Sequence, residues 1–134
     1  MSDIKPAVVA AIDEVRSSFP GRQIDIESDG QGGAFVRLHE VDLGPTYQSQ
    51  KTWIGFQITF QYPFADVYPH FIRPDIRRSD GKPFGEAIHP DKTFTRPSGS
   101  ENAILISRAS RHRDPATDTA VVKLAKVLDW IRSR

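Results

Sequence analysis

The residues of this chain whose types could do chemistry lie well past its middle: His89-Pro90-Asp91, then Ser98, Ser100 and Glu101. A serine hydroxyl is a weak nucleophile at neutral pH and acts only beside a base. His89 is the candidate base, with Asp91 or Glu101 as the carboxylate that would orient it. Nothing in the linear order holds His89 within reach of Ser98 or Ser100, and serines beside glycine are ordinary loop residues. The chain has no cysteine, which excludes a thiol nucleophile, a thiolate metal site and a disulfide framework together. His39, His70 and His112 have no spacing that sets two ligands on one helix face or in one short loop, so no metal is expected. Gly30, Gly32 and Gly33 lack the Lys-Ser/Thr ending of a phosphate loop, and no cofactor is expected.

The elements that must position these groups can be read from periodicity. Ile4, Val8, Ile12, Val15 and Phe19 follow one face of a helix that Ser2 or Asp3 could cap and Pro20-Gly21 ends. Ile24 and Ile26 alternate with acids, and the run Ser28 to Gly33 predicts a turn. Ala34 to Val41 predicts a second strand, with Val36 and Leu38 on one face and Phe35 and Arg37 on the other. In Trp53 to Gln61 the residues Ile54, Phe56, Ile58 and Phe60 share a face, the alternation of a sheet with one side covered. His70-Phe71-Ile72 predicts a short fourth strand. The stretch Arg73 to Gly99, rich in Pro, Gly and charge, reads as a long irregular segment, functional or disordered. Ala103 to Ile106 is a strand or a buried turn. Beyond Pro115, the spacing of Val121, Leu124, Leu128 and Ile131 predicts a closing amphipathic helix.

This order of helix, meander of about four antiparallel strands, irregular segment and helix predicts an α+β fold with the helices against one sheet face. With 134 residues and no linker or repeat, one domain over 1–134 is expected. No apolar run has the length of a membrane span, and Met1 to Pro6 lacks the basic start and apolar stretch of a signal peptide; a cytoplasmic protein is expected. A formal net charge of +1 gives no case for nucleic acid as the main partner. Local charge is uneven: Arg73, Arg77, Arg78 and Lys82 form one basic stretch, and Arg108, Arg111, His112 and Arg113 another. These read first as solvated loops and second as a docking surface for an acidic partner.

Three motifs, taken in order, carry a resemblance. Tyr62-Pro63-Phe64 follows the third strand with a further proline at Pro69, His89-Pro90-Asp91 comes next, and Pro115-Ala116 precedes the last helix. The chain resembles the ubiquitin-conjugating enzyme fold over nearly its whole length, as a cysteine-less variant, plausible for a bacterial ubiquitin-like conjugation system. The family has Asn where Asp91 stands, and that Asn donates to the oxyanion formed as an amine attacks the thioester. An ionised Asp can only accept, and an oxyanion site needs donors. The second proline also falls later than in the family. Aligned by offset from the His-Pro motif, the family's cysteine position falls at Gly99, between Ser98 and Ser100; aligned on the apolar run, it falls at Ala103 or Ile104.

The resemblance implies a partner-binding, non-catalytic subunit that contacts a ubiquitin-like protein, an activating enzyme or a catalytic conjugating partner. The first helix and the turn after the third strand are the family's contact regions, which makes Lys5, Arg16, Tyr62 and Phe64 the candidate contacts. The alternative is an enzyme, a carrier holding the ubiquitin-like C-terminus as an oxyester on Ser98 or Ser100, with His89 and Asp91 assisting. A second alternative is a related RWD-type interaction domain outside conjugation. His89 also has a structural reading in this fold, as a corner residue bonded to backbone.

Overall fold

A computed structural model describes residues 3–134. Two helices, α1 (Pro6–Ser18) and α2 (Ala120–Arg132), pack on a single six-stranded sheet. Its strands are β1 (Ile24–Ser28), β2 (Ala34–Asp42), β3 (Lys51–Ile58), β4 (His70–Ile72), β5 (Ile88–Arg96) and β6 (Gly99–Ile106). They lie in the order β1-β2-β3-β4-β6-β5, and every neighbouring pair is antiparallel. The α+β class and the predicted run of helix, meander and helix are therefore observed. No described helix is long and apolar enough to cross a membrane.

The alternation in β2 and β3 has the expected cause. Val36, Leu38, Ile54, Phe56 and Ile58 are all fully buried on the helix side, against Val8, Ala11, Ile12 and Val15 of α1 and Leu124, Val127, Leu128 and Ile131 of α2. At about 1.5–3 kcal/mol for each large apolar side chain, this layer dominates the fold. The helix starts differ from one another. Thr119 caps α2 by accepting from the Val122 N–H at 3.4 Å. Helix α1 has Lys5 at its N-cap and Pro6 in its first turn, with no side-chain cap. Asp3, one of the two expected caps, instead accepts from the Ser28 hydroxyl at 2.6 Å. Ser2, the other, lies outside the described residues.

Two expectations are corrected. The stretch Arg73 to Gly99 is not irregular throughout: its last third is β5, which pairs with β6 from Ile88↔Ile106 to Arg96↔Gly99. The strand escaped notice because only Ile88 and Phe94 of its nine residues are buried, so it shows no alternation. Phe60 does not continue the inward face of β3. The strand ends at Ile58, and Phe60 sits in the following turn, 43% exposed.

The β5–β6 hairpin has a second effect. Beyond the three residues of β4 it has no neighbour in the plane, and its free half curls over the outer face of β1 to β3. Phe94 lands there, 2% exposed, in a ring cluster with Trp53, Phe71 and Phe35 at centroid distances of 5.9, 4.9 and 6.2 Å. Gly55 on β3 makes the space: a Cβ there would stand 2.5 Å from Phe94 Cε2.

Candidate functional site

The hairpin settles the relation of His89 to the serines. His89 pairs with Leu105 at one end of β5, whereas Ser100 pairs with Thr95 and Ser98 occupies the turn at the other end. Their partners Leu105 and Ser100 are five residues apart on β6, which puts His89 and Thr95 about 17 Å apart at the rise of a β-strand. The histidine is therefore not the base for either hydroxyl, and the expected constellation of His89, Asp91, Ser98 and Ser100 does not form. Each serine has another role. The Ser98 hydroxyl and N–H both donate to the Glu27 carboxylate on β1, each at 2.7 Å. The Ser100 hydroxyl donates to Thr95 Oγ1 at 3.0 Å. Glu101, the other possible orienting carboxylate, is taken up by the guanidiniums of Arg37 and Arg96.

Asp91 sits at an irregularity of the β5–β6 pairing between His89 and Lys92, with φ at +62°. It is exposed, as are its neighbours on this edge strand. Pro90 has no N–H, and the displaced backbone at Asp91 interrupts the edge, a device that blocks pairing with a further strand. The His-Pro corner is thus a feature of a sheet edge. The corner role read for the His89 side chain is not seen, since it makes no hydrogen bond to any described residue.

The residues expected to meet a partner are brought together, with one exception. Lys5, Pro6, Phe60, Tyr62, Pro63 and Phe64 line an open, mainly apolar groove of about 570 Å³ where the start of α1 meets the turn after β3. Phe64 is 79% exposed, the highest value among the large apolar side chains of the described residues. The Lys5 ammonium lies over the Phe60 ring, 5.3 Å from its centroid. Tyr62 is the anchor: 7% exposed, its hydroxyl accepts from the Ala120 N–H at 3.0 Å, which ties the turn to the first residue of α2. Arg113 fixes the turn from behind by donating to the carbonyls of Pro63 and Phe64 at 3.1 and 3.0 Å. Arg16 is the exception. It lies in the last turn of α1, eleven residues from Lys5 and about 16 Å along the helix axis. Sequence reading missed Phe60 because it assigned the residue inward; the preceding Gln57, Thr59 and following Gln61 carried no sign that the strand stops at Ile58.

Chemistry inside the groove is limited by its donors. It offers one ammonium, the Gln61 carboxamide and otherwise aromatic and aliphatic groups, with no carboxylate or imidazole among its lining residues. Among the described residues no group of three or more His, Asp or Glu side chains is placed to hold a metal ion. The groove can bury apolar surface and pair one cation with an acid. Comparison with family models, with curated proteins and with solved structures found no match for this chain.

Proposed function

We propose that the protein is a non-catalytic, ubiquitin-conjugating-enzyme-like subunit of a ubiquitin-like protein conjugation pathway, and that it works by binding a partner through the Lys5–Phe60–Phe64 groove. The observation that carries this reading is the exposure of Phe64 and Phe60 on a turn that Tyr62 and Arg113 hold rigid. A turn so anchored and tipped with bare rings is organised to present them, since aromatic residues dominate binding interfaces once buried. The order of α1, the meander β1 to β4, the Tyr-Pro-Phe turn and the closing helix supports the kinship. The absence of cysteine and the separation of His89 from Ser98 and Ser100 support a role without covalent transfer. In place of a catalytic segment, the chain after β4 forms the hairpin that covers the outer sheet face.

The test is to incubate the protein with an activating enzyme, ATP and the cognate ubiquitin-like protein, and to read both intact mass and complex formation. The expected result is a complex without a covalent adduct. In the Phe64→Asp variant, binding should weaken by about 2 kcal/mol or more, the loss of a buried aromatic anchor. A hydroxylamine-sensitive adduct lost in Ser98→Ala or Ser100→Ala would replace this reading with the carrier. Failure to bind any of the components would leave an interaction domain outside conjugation.

A further inference from the structure

A second concavity lies between α2 and the segment that follows β6. It is about 570 Å³ in volume and is lined by Ser107, Arg108, Ser110, Arg111, Lys123 and Lys126, with no acidic side chain among its lining residues. One wall is α2, where Lys123 and Lys126 are one turn apart and share a face. The other wall is the strap that follows β6, and the strap is held at four points. The Ser107 N–H donates to the Ala87 carbonyl at 2.7 Å, and its hydroxyl meets the Tyr68 hydroxyl at 2.7 Å. The Ser110 N–H donates to Asp66 Oδ2 at 2.7 Å. Arg113 closes the far end on the carbonyls of Pro63, Phe64 and Asp118. The cations of the strap are therefore carried on a fixed frame.

The charges in this cavity are unequally satisfied. Lys123 is 6% exposed; its ammonium donates to Asp66 Oδ2 at 2.9 Å and to the Ser110 hydroxyl at 2.7 Å, and one of its three N–H groups remains. Asp66, behind the lining, is shared with Arg113 at 3.5 Å and held ionised: burial opposes its charge, but the Ser110 N–H, Lys123 and Arg113 together keep its carboxyl below the ordinary value. Lys126 reaches Asp118 at 3.1 Å from an exposed position. Arg108 stacks on Trp130 at 4.8 Å, and among the described residues no carboxylate pairs with Arg108 or with Arg111. Two guanidiniums, one buried ammonium with a spare donor and one surface ammonium thus converge on a cavity of small-molecule size.

We propose that this cavity is a binding site for a soluble small molecule bearing two or more phosphates. The guanidinium fork matches phosphate oxygens two at a time. The convergence of four cations suits a multiply charged anion, since a single carboxylate would leave most of these donors unused. The contact with the Trp130 ring holds the Arg108 guanidinium in place before a ligand arrives, which lowers the ordering cost of binding. The site is separate from the Lys5–Phe64 groove, and its occupancy does not depend on the function proposed for that groove.

The test is calorimetric titration of the full chain at low ionic strength with sodium tripolyphosphate, with ATP and with adenosine. Saturable one-to-one binding of tripolyphosphate is expected. The Arg108→Gln/Arg111→Gln double variant should bind at least about tenfold more weakly, as loss of charge-assisted hydrogen bonds requires. Lys92→Gln, a change on the exposed edge of β5, should leave binding unchanged. Both Arg108 and Arg111 are exposed, so the double variant should keep the wild-type thermal midpoint, and that measurement accompanies the titration. ATP binding as tightly as tripolyphosphate would assign the site to the phosphates alone; tighter ATP binding with competition by adenosine would assign it to a nucleotide. Absence of saturable binding up to about 1 mM, or equal affinity in the double variant and the wild type, would overturn the proposal.

Discussion

Gly55 and the Phe94 ring meet on the outer face of the sheet, and each exists for the other. Phe94 is an aromatic on an edge hairpin that is otherwise exposed, and it is buried only because β3 has no side chain beneath it. Gly55→Ala would put a methyl 2.5 Å from the ring, so the ring must leave or the hairpin must lift. Overpacking of this kind costs about 1–3 kcal/mol, and Phe94→Ala about 3–5 kcal/mol. Urea denaturation should show that the two losses are not additive: once Phe94 is alanine, the Gly55→Ala change should become nearly neutral. Additive losses would mean that the close approach has no energetic consequence. In sequence, Gly55 offered only a small residue on the open face of a strand. Nothing there named the ring that would fill the gap, because Phe94 lies on an element with no alternation to reveal it.

At the level of elements, the strands and helices that bury a continuous apolar row were legible, whereas β5, with two buried residues spread over nine, was not. The helix side of β2 and β3 is full, so its period survives in the sequence. In β5 the turn chemistry was the available signal. Thr93-Phe94-Thr95-Arg96 runs into Pro97-Ser98-Gly99, and Gly99 takes φ +146°, so strand formers entering a Pro-Ser-Gly turn mark a hairpin. The same turn explains why Ser98 looked chemical: a hydroxyl beside glycine reads equally as a nucleophile or as a tether, and only the position of Glu27 distinguishes them. Tyr62 and Phe64 were legible together because the Tyr-Pro turn is local, whereas Lys5 and Arg16 both entered through the resemblance, which makes the first helix a contact region, and only Lys5 lies at the end of α1 that meets the turn. The tether supports a prediction. Glu27→Ala removes both hydrogen bonds to Ser98, while the ring cluster and the Arg37–Glu101–Arg96 pairing still hold the middle of the hairpin. Amide exchange at 95–101 should quicken by about tenfold, with the exchange of β2 and β3 unchanged, as expected for local opening at a loosened tip. Equal acceleration throughout the sheet would show that the tip contact supports the whole fold.

Across the whole molecule, the cost of the central layer is concentrated at one side chain. His70 on β4 is fully buried, 5.2 Å from the Phe56 ring, and neither of its ring nitrogens has a hydrogen-bond partner. Burial, followed by the nearby Lys123 ammonium, pushes its pKa down to about 3, while Asp66 opposes this weakly. Between about pH 6.5 and pH 3 the folded protein therefore holds His70 neutral where the unfolded chain would protonate it. Below about pH 6.5 the unfolded state binds a proton that the native state refuses, and stability falls with acid by up to about 1.4 kcal/mol per pH unit until about pH 3. Asp25 and Asp66 add to the loss only lower down. Their folded values are depressed, Asp25 chiefly by its hydrogen bond from His39, so their contribution is present above the ordinary carboxylate range and disappears as pH falls through their native values. The two effects separate in a His70→Leu variant. It should be as stable as the wild type or more so at pH 7, because two unpaired buried nitrogens are gone. Between pH 6.5 and 4.5 its urea midpoint should hardly move while that of the wild type declines, and only below about pH 3, where native His70 also takes up its proton, should the two curves fall in parallel. A wild-type midpoint that stays level from pH 6.5 to 4.5 would mean that His70 takes up its proton inside the fold, with Asp66 as the counter-charge that allows it.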